Sequence, residues 1–550
     1  MITRAYSYLI LLLYFTIFQF KNINALLKVD PLVKTNLGLI RGVRASDGDY
    51  AMFMGIPYAQ VNVSNPFGAA IQQEPFDEIF EANDDSARCP QIEEFNNTLT
   101  GSLDCLHLNV YVPDTANSNN RLPVLVWIYG GGFRIGFAGR YVYGPRFLVR
   151  HDIILVTLNY RLGPYGFMCL DTPEVPGNQG LKDQLLALRW IKNNIDAFSG
   201  DPNKITLFGE SAGGISIDFH LMSTKEKLFE KLILQSGTTV LPIYPLVHKD
   251  AAQQIVKHIG HEIDNVDEAI ALLSSIDTDK VVAAASELNL LFYPCVEKQF
   301  ENVDSFIIEN WINQSNVPKV RNVPILIGYN SNELLISYLD KTPDFFSDLN
   351  IFYEKLSAGF KTSDPAFEGM VELVKQFYIG DGAISYDTRY DIGDFDSDFS
   401  YIHPTHRSIS RYLANSAGKI FQYMFSYNGN RNFVKLRFNV TEGGAAHADE
   451  IGYLFDVRFI DEEITIDDQV IIDRITMLWT NFVKYGNPTP ETSELLPVEW
   501  KPVTKTSALY YMNIDKELTL NTRAYNERMS FWDLFYKINK DLQILYPNYD

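Results

Sequence analysis

Four cysteines in 550 residues are too few for a disulfide scaffold, so the fold must rest on a buried apolar core. Basic residues are also in short supply: 47 Lys and Arg face 68 Asp and Glu, a formal net charge of −21. A nucleic-acid binder needs a basic surface that displaces counterions from phosphate, and this balance argues against one. After the N-terminal leader no long apolar run recurs, and no repeat, low-complexity tract or Pro/Gly/Ser-rich linker marks a place to divide the chain. What is present is ordinary globular material, 46% hydrophobic, 21% charged and 13% aromatic, which excludes disorder as a global description. Length alone would suggest three or four domains at about 150 residues each, but one large α/β domain with long insertions also accommodates it.

The leader, residues 1–25, carries Arg4, an apolar run over 6–20 and Ala25 as a small residue before a cleavage point. The run is shorter than the about 20 residues that span a bilayer, so it reads as a secretory signal peptide, with an uncleaved signal anchor as the alternative. Cleavage after Ala25 removes Arg4 and Lys21 and takes the formal charge from −21 to −23. The C-terminal LYPNYD is neither an ER-retrieval signal nor the hydrophobic tail that a lipid anchor replaces. A soluble, secreted, extracellular protein without stable membrane insertion is the simplest expectation.

Short apolar runs at 122–128 (LPVLVWI), 153–157 (IILVT), 205–208 (ITLF), 232–234 and 325–328 predict strands buried on both faces, as in a parallel sheet. Between the second and third, Leu181, Leu185, Leu188, Ile191 and Ile195 recur at spacings of three and four, which predicts an amphipathic helix over 178–198. Further helices are expected after Ser211, over 467–485 and over 526–542. Strand-free helical stretches near 249–286 and 345–417 read as inserts over one end of the sheet. The fold class expected is α/β, with a mostly parallel central sheet flanked by helices and capped by inserted helical segments.

The strand-like KITLF leads into Gly209-Glu210-Ser211-Ala212-Gly213 and then an apolar helix. A Gly-x-Ser-x-Gly turn suits a serine nucleophile, because its strained backbone needs glycines where strand and helix approach closely. Alone the pattern occurs by chance in roughly one chain of this length in five; the strand before it and the helix after it make Ser211 the candidate. Such a nucleophile requires donors aimed at the oxyanion that forms on the attacked carbonyl. Gly130, Gly131 and Gly132 follow the strand at 122–128 directly, and the N–H groups of Gly131, Gly132 and Ala212 would make a three-donor hole. Each donor of this kind is worth about 3 kcal/mol in the transition state, while a glycine loop without a ligand is the plain alternative. The general base must be a histidine, and His447, late in the chain after four small residues at 443–446, stands where the Ser…acid…His order puts it. His403 and His406 lack these surroundings, His107, His151, His258 and His261 have no ligand-like company, and neither a metal site nor a cofactor is expected.

Seven stretches, GIPYA (55–59), DCLHLNVYVP (104–113), WIYGGGF (127–133), NYRLGPYGF (159–167), GNQGLKDQ (177–184), DPNKITLFGESAGG (201–214) and QSG (235–237), resemble the type-B carboxylesterase family, which includes the cholinesterases. GAAHADEIGYLF (444–455) is most similar to insect carboxylesterases within it. The resemblance runs from about Lys34 to the C-terminal helix. It implies one α/β-hydrolase domain over 26–550, an active site at the foot of a gorge, and a small-molecule ester as the binding partner. Glu333 in GYNSNE (328–333) matches the family's acid motif, although Leu334 replaces the usual small residue after it. Ser236 and Glu450 match positions that brace the histidine in relatives. Cys89 and Cys105 match the family's first disulfide, worth about 3 kcal/mol by loop closure. Cys169 and Cys295 have no family partners and are expected as free, buried thiols.

Departures from the family pattern bear on specificity. Leu103 replaces the usual Glu before Asp104-Cys105, so a salt bridge of relatives is expected to be missing. No tryptophan lies between Cys89 and Cys105, where cholinesterases stack the choline cation, so cholinesterase activity is not expected. Juvenile-hormone esterases typically carry Gln before the nucleophile, and this chain has Glu210. The segment Leu241-Pro242-Ile243-Tyr244 lacks a tryptophan often found near the acyl pocket, which leaves room for bulkier acyl groups. Sequons stand at Asn62, Asn96, Asn313 and Asn439, where about three are expected by chance. The expected function is ester hydrolysis through an acyl-enzyme on small hydrophobic esters; a juvenile-hormone-type esterase and a non-catalytic binding or adhesion member of the fold are the alternatives.

Overall fold

The computed structural model describes residues 31–242, 247–312, 314–504 and 509–544. The leader at 1–25, Ile243, Tyr244 and the sequon at Asn313 lie outside them. The apolar runs form the spine of an eleven-stranded sheet. In chain order its strands are β1 (Val43–Arg44), β2 (Tyr50–Pro57), β3 (His107–Pro113), β4 (Leu122–Ile128), β5 (Ile154–Leu158), β6 (Gly200–Glu210), β7 (Lys231–Gln235), β8 (Ile325–Asn330), β9 (Ile420–Phe425), β10 (Tyr510–Ile514) and β11 (Leu518–Thr522). Across the sheet the order is β1-β2-β3-β5-β4-β6-β7-β8-β9-β10-β11. Neighbours from β5 through β10 are parallel, and the strands beyond them at both edges are antiparallel.

All five apolar runs are parallel strands of the middle, and their residues are almost entirely buried. The antiparallel strands β2 and β3 were not legible as strands. Both faces of β2 are covered, so the two-residue alternation that announces an antiparallel strand is absent. A register shift between Leu108 and Val110 interrupts its pairing with β3.

Helix α1 (Gln179–Asn194) buries Leu181, Leu185, Leu188 and Ile191, the stripe its periodicity predicted, and ends in a 3₁₀ turn closed by Ser199 at φ 63°. Helix α2 (Ala212–Met222) is buried all round beneath the sheet's centre. Helix α3 (Ile466–Tyr485) is bounded by its own sequence: Thr465 and Asp468 form a reciprocal capping box, and Gly486 at φ 65° closes the other end. The first insert supplies helices Ala251–His258, Val266–Ser275 and Thr278–Glu287. The second includes Ile351–Gly359, Phe367–Ile379, Arg389–Ser397 and His403–Ala414. It shares a separate apolar cluster, with Phe352, Phe395, Phe399 and Trp532, with the C-terminal helix α4 (Asn526–Ile538). Two of the family-like motifs meet in a buried ion pair, Arg161 Nη2 lying 2.7 Å from Asp183 Oδ1, while Arg161 Nη1 donates to the carbonyls of Pro66 and Gly68.

Cys89 and Cys105 form the expected disulfide. Cys169 and Cys295 correct the expectation of free thiols: they form a second disulfide across 126 positions. No local spacing signals this bond, because the contact is made by Asn178. Its Nδ2 donates to Cys295 O at 2.8 Å and its Oδ1 accepts the Cys295 N–H at 2.9 Å, drawing the chain beyond the first insert against the turn before α1. Gly177, at φ +104°, leaves the space: a Cβ there would lie 2.5 and 2.8 Å from the two sulfurs. Replacing both Cys169 and Cys295 by serine is expected to cost about 2–5 kcal/mol, read as a lower denaturant midpoint. An unchanged midpoint would show that the bond adds nothing to stability.

Candidate active site

Ser211 sits between the last residue of β6 and the first of α2 at φ 53°, ψ −123°. A non-glycine residue held there stores on the order of 1–3 kcal/mol of strain, so its surroundings must impose it. They do so from both sides: Ser211 N–H donates to Gln235 O at the end of β7 (2.8 Å), and Ile215 N–H donates to Ser211 O (2.9 Å). The flanking glycines are required sterically. A Cβ on Gly213 would lie 1.9 Å from Ile128 O, and one on Gly209 would lie 2.6 Å from the Gly213 carbonyl carbon.

The glycine loop after β4 passes directly beside this turn, where a Cβ on Gly130 would meet Ser211 Cβ at 2.9 Å. Gly131 (φ 107°) and Gly132 (φ 62°) take conformations that favour glycine, and Arg134 and Ile135 N–H groups donate to Gly131 O. Among the described residues the N–H groups of Gly131 and Gly132 have no acceptor. Ala212, first residue of α2, has no intrahelical acceptor either. Three backbone donors with no acceptor among the described residues therefore lie near Ser211. Beside the loop opens a cavity of about 310 Å³, lined in part by Glu93, Arg134, Ile135, Gly163, Leu290 and Phe292.

Glu333 leaves the end of β8 and is buried, while His447, on the loop after Gly444, is part exposed. His447 Nδ1 lies 2.6 Å from Glu333 Oε2, and the His447 N–H also donates to Glu333 O at 2.9 Å. The other carboxylate oxygen, Glu333 Oε1, accepts from Ser236 Oγ (2.6 Å) and from Asn330 N–H (2.7 Å). Leu334 does not disturb this turn, its N–H donating to Ser397 Oγ at 3.0 Å. Glu450 touches neither Glu333 nor His447 directly. It accepts from Gln235 Nε2 and Asn330 Nδ2, both at 2.5 Å, and Gln235 Oε1 in turn accepts from Trp479 Nε1 at 2.8 Å. Glu450 thus ties the ends of β7 and β8 beneath the site, and Ser236 acts on His447 only through Glu333.

The other edge of the imidazole faces Glu210. His447 Nε2 lies 3.1 Å from Glu210 Oε1, and among the described residues Ser211 Oγ makes no hydrogen bond. Catalytic hydrogen bonds are often long without substrate and tighten when it arrives. Burial disfavours a charged imidazole here, but the Glu210 and Glu333 carboxylates outweigh it and hold His447 up at about 9. Burial pushes Glu210 up to about 8 against the pull of His447. Burial likewise raises Glu450 to about 7, with the Asn330 hydrogen bond opposing. Glu210 and Glu333 thus flank the imidazole, with Glu450 beneath them.

In the sequence Glu210 stands out only as a departure from relatives, and Asn330, Gln235 and Trp479 carry no assigned role there. Asn330 stood in plain view three positions before Glu333; Gln235 and Trp479 gave no local sign. His403 and His406 are engaged away from the site, His403 Nε2 with Asp533 Oδ1 (3.1 Å) and His406 Nε2 with Tyr329 Oη (3.0 Å). Asn96 and Asn439 are exposed and Asn62 is half-buried. Leu103 packs against the core. Among the described residues no His/Cys/Asp/Glu group of three or more could hold a metal, and no helix is long and apolar enough to cross a membrane.

The model of the carboxylesterase family matches residues 29–532. A juvenile hormone esterase of Tribolium castaneum is 30% identical, the match covering 95% of this chain and 97% of that protein. Esterase B1 of Culex pipiens is also 30% identical, over 93% of this chain and 98% of its own length. The crystal structure of juvenile hormone esterase from Manduca sexta, with OTFP covalently attached, superposes with a TM-score of 0.78 at 26% identity, covering 92% of this chain and all of that one. The sheet order, the strained serine turn and these matches lead to one conclusion: the chain belongs to the carboxylesterase family and is a carboxylic ester hydrolase.

Proposed function

We propose that the protein is a secreted serine esterase, residues 26–550 forming one hydrolase domain, that works through an acyl-enzyme. Ser211 Oγ attacks the ester carbonyl while His447 Nε2 takes its proton, and the oxyanion is received by the N–H groups of Gly131, Gly132 and Ala212. His447 then returns the proton to the departing alcohol, and a water repeats the sequence to release the acid. Glu333 fixes the imidazole tautomer and favours the imidazolium. The observation that carries this reading is the 2.6 Å contact of His447 Nδ1 with buried Glu333, beside a serine held at φ 53°. A non-catalytic role has little support where all three positions are filled.

Glu210 gives the site a pH signature. A carboxylate 3.1 Å from Nε2 favours the protonated imidazole, which cannot act as base. Glu210→Gln removes that support, so the acid limb of kcat/KM is expected to move to lower pH by about 1–3 units, a pH–rate profile being the check. An unmoved limb would show that Glu210 does not tune the base.

Small hydrophobic esters are the proposed substrates, whether odorant, pheromone, xenobiotic or dietary. A formal charge of −21 favours neutral or cationic esters over anionic ones on approach. Acetates of graded chain length and charge are expected to show rates rising with apolar length, with the cationic preference falling as salt is added. Rates insensitive to both would oppose the assignment. The juvenile-hormone reading is the second one, favoured by the esterases of Tribolium and Manduca and opposed by Glu210. Secretion predicts a mature N-terminus at Leu26, and the sequons at Asn62, Asn96, Asn313 and Asn439 are proposed glycan acceptors.

A further inference from the structure

The helix Arg389–Ser397 does not run directly into His403–Ala414; a π-helical turn, Asp398–Ile402, lies between them. Pro404 explains the need for it. Lacking an N–H, Pro404 cannot continue the regular ladder, and the His403 N–H bonds five residues back to Asp398 O. The extra residue rotates the following side chains about the axis. Single π turns are frequent at functional sites because they redirect one side chain at a cost in regular hydrogen bonding.

Here the redirected residue is Tyr401, whose ring lies 4.5 Å from that of His447, centroid to centroid, tilted by 38°. The turn is firmly anchored. Asp398 accepts from Tyr378 Oη (2.6 Å) and from Arg528 Nη2 (2.9 Å), and Ser400 Oγ donates to Asp396 Oδ1 (2.9 Å). One turn earlier, Ser397 Oγ accepts the N–H of Leu334, the residue after Glu333. One helical segment therefore grips both the loop that carries Glu333 and the ring face of His447. Burial holds the Tyr401 phenol well above its ordinary range, so the ring stays neutral beside the carboxylates. Nothing in the serine, acid and histidine chemistry above uses it.

We propose that Tyr401 is a positioning residue for His447, its ring face both fixing the imidazole plane and stabilising the imidazolium that forms when Ser211 is deprotonated. This rests on the reading of His447 as the general base. An aromatic face favours a desolvated cation by an amount equivalent to about a tenfold rate effect. The stabilisation grows as positive charge develops on the ring, so it is larger in the transition state than in the ground state.

The test compares Tyr401→Phe, Tyr401→Trp and Tyr401→Leu in the full-length protein, with kcat, KM and the pH profile measured for a neutral acetate. Phe and Trp keep an aromatic face and are expected to retain kcat within about threefold. Leu is expected to lower kcat about tenfold with a smaller change in KM, and to move the acid limb to lower pH because the imidazolium has lost support. A merely structural role would not move the limb. Phenylalanines of increasing ring fluorination at 401 supply a second measurement that keeps the shape: kcat is expected to fall step by step with fluorination. A Leu variant with wild-type kcat and pH profile, or rates indifferent to fluorination, overturns the proposal. Should His447→Gln retain wild-type turnover, the base assignment itself fails, an outcome separate from that of the Tyr401 series.

Discussion

Ser211→Ala is expected to lower kcat by a factor on the order of 10⁴ to 10⁶ while leaving the fold intact. The reasoning is chemical rather than structural. Alanine removes only Oγ, which makes no hydrogen bond among the described residues, so packing loses nothing of consequence. The strained backbone is retained, because it is imposed by Gln235 O and by the crowding at Gly209 and Gly213. Residual activity above the rate in water would come from the N–H groups of Gly131, Gly132 and Ala212, the proposed donors to a developing oxyanion, which would act whatever the nucleophile. Hydrolysis of a nitrophenyl acetate, alongside circular dichroism and a thermal midpoint, checks both halves. A folded variant with wild-type turnover would exclude Ser211 as nucleophile.

Glu333→Gln is expected to cost about 10⁴-fold in kcat, more than its small change in volume suggests. Glu333 Oε1 accepts two donors, Ser236 Oγ and the Asn330 N–H, so the glutamine oxygen must stay on that side. The NH₂ group is then left facing His447 Nδ1, which has to become an acceptor. That tautomer carries its proton on Nε2, the nitrogen that must take the proton from Ser211. Loss of kcat with little change in KM is the expected signature, because the defect appears only as charge develops. Ser236→Ala relieves part of the constraint, and combined with Glu333→Gln it is expected to be less than additive. A Glu333→Gln variant with wild-type kcat would show that the acid does not set the tautomer.

The parallel centre of the sheet was legible because its strands are buried on both faces and read as unbroken apolar runs, from Leu122 to Ile128 above all. The strained turn at Ser211 was legible because strain leaves a trace in sequence: only glycines fit at 209 and 213. What stayed hidden depends on distant contacts. The Cys169–Cys295 bond spans 126 positions and is arranged by the Asn178 side chain, so no spacing rule reaches it. The contact of Glu210 with His447 joins residues 237 apart in sequence and arises from the turn at Ser211, which sets the preceding side chain against the imidazole. Tyr401 meets His447 from within a π turn, and no pattern in residues 398–402 announces such a turn.

The central claim, that Ser211 carries the acyl group, is tested most directly by treating the purified protein with a diethyl phosphoryl ester and locating the adduct by peptide mass mapping. The account predicts one phosphoryl group per chain, on the peptide containing Ser211, accumulating in step with the loss of esterase activity and absent from Ser211→Ala. Complete inhibition with the label on another residue, or full labelling of Ser211 with turnover unchanged, would contradict it.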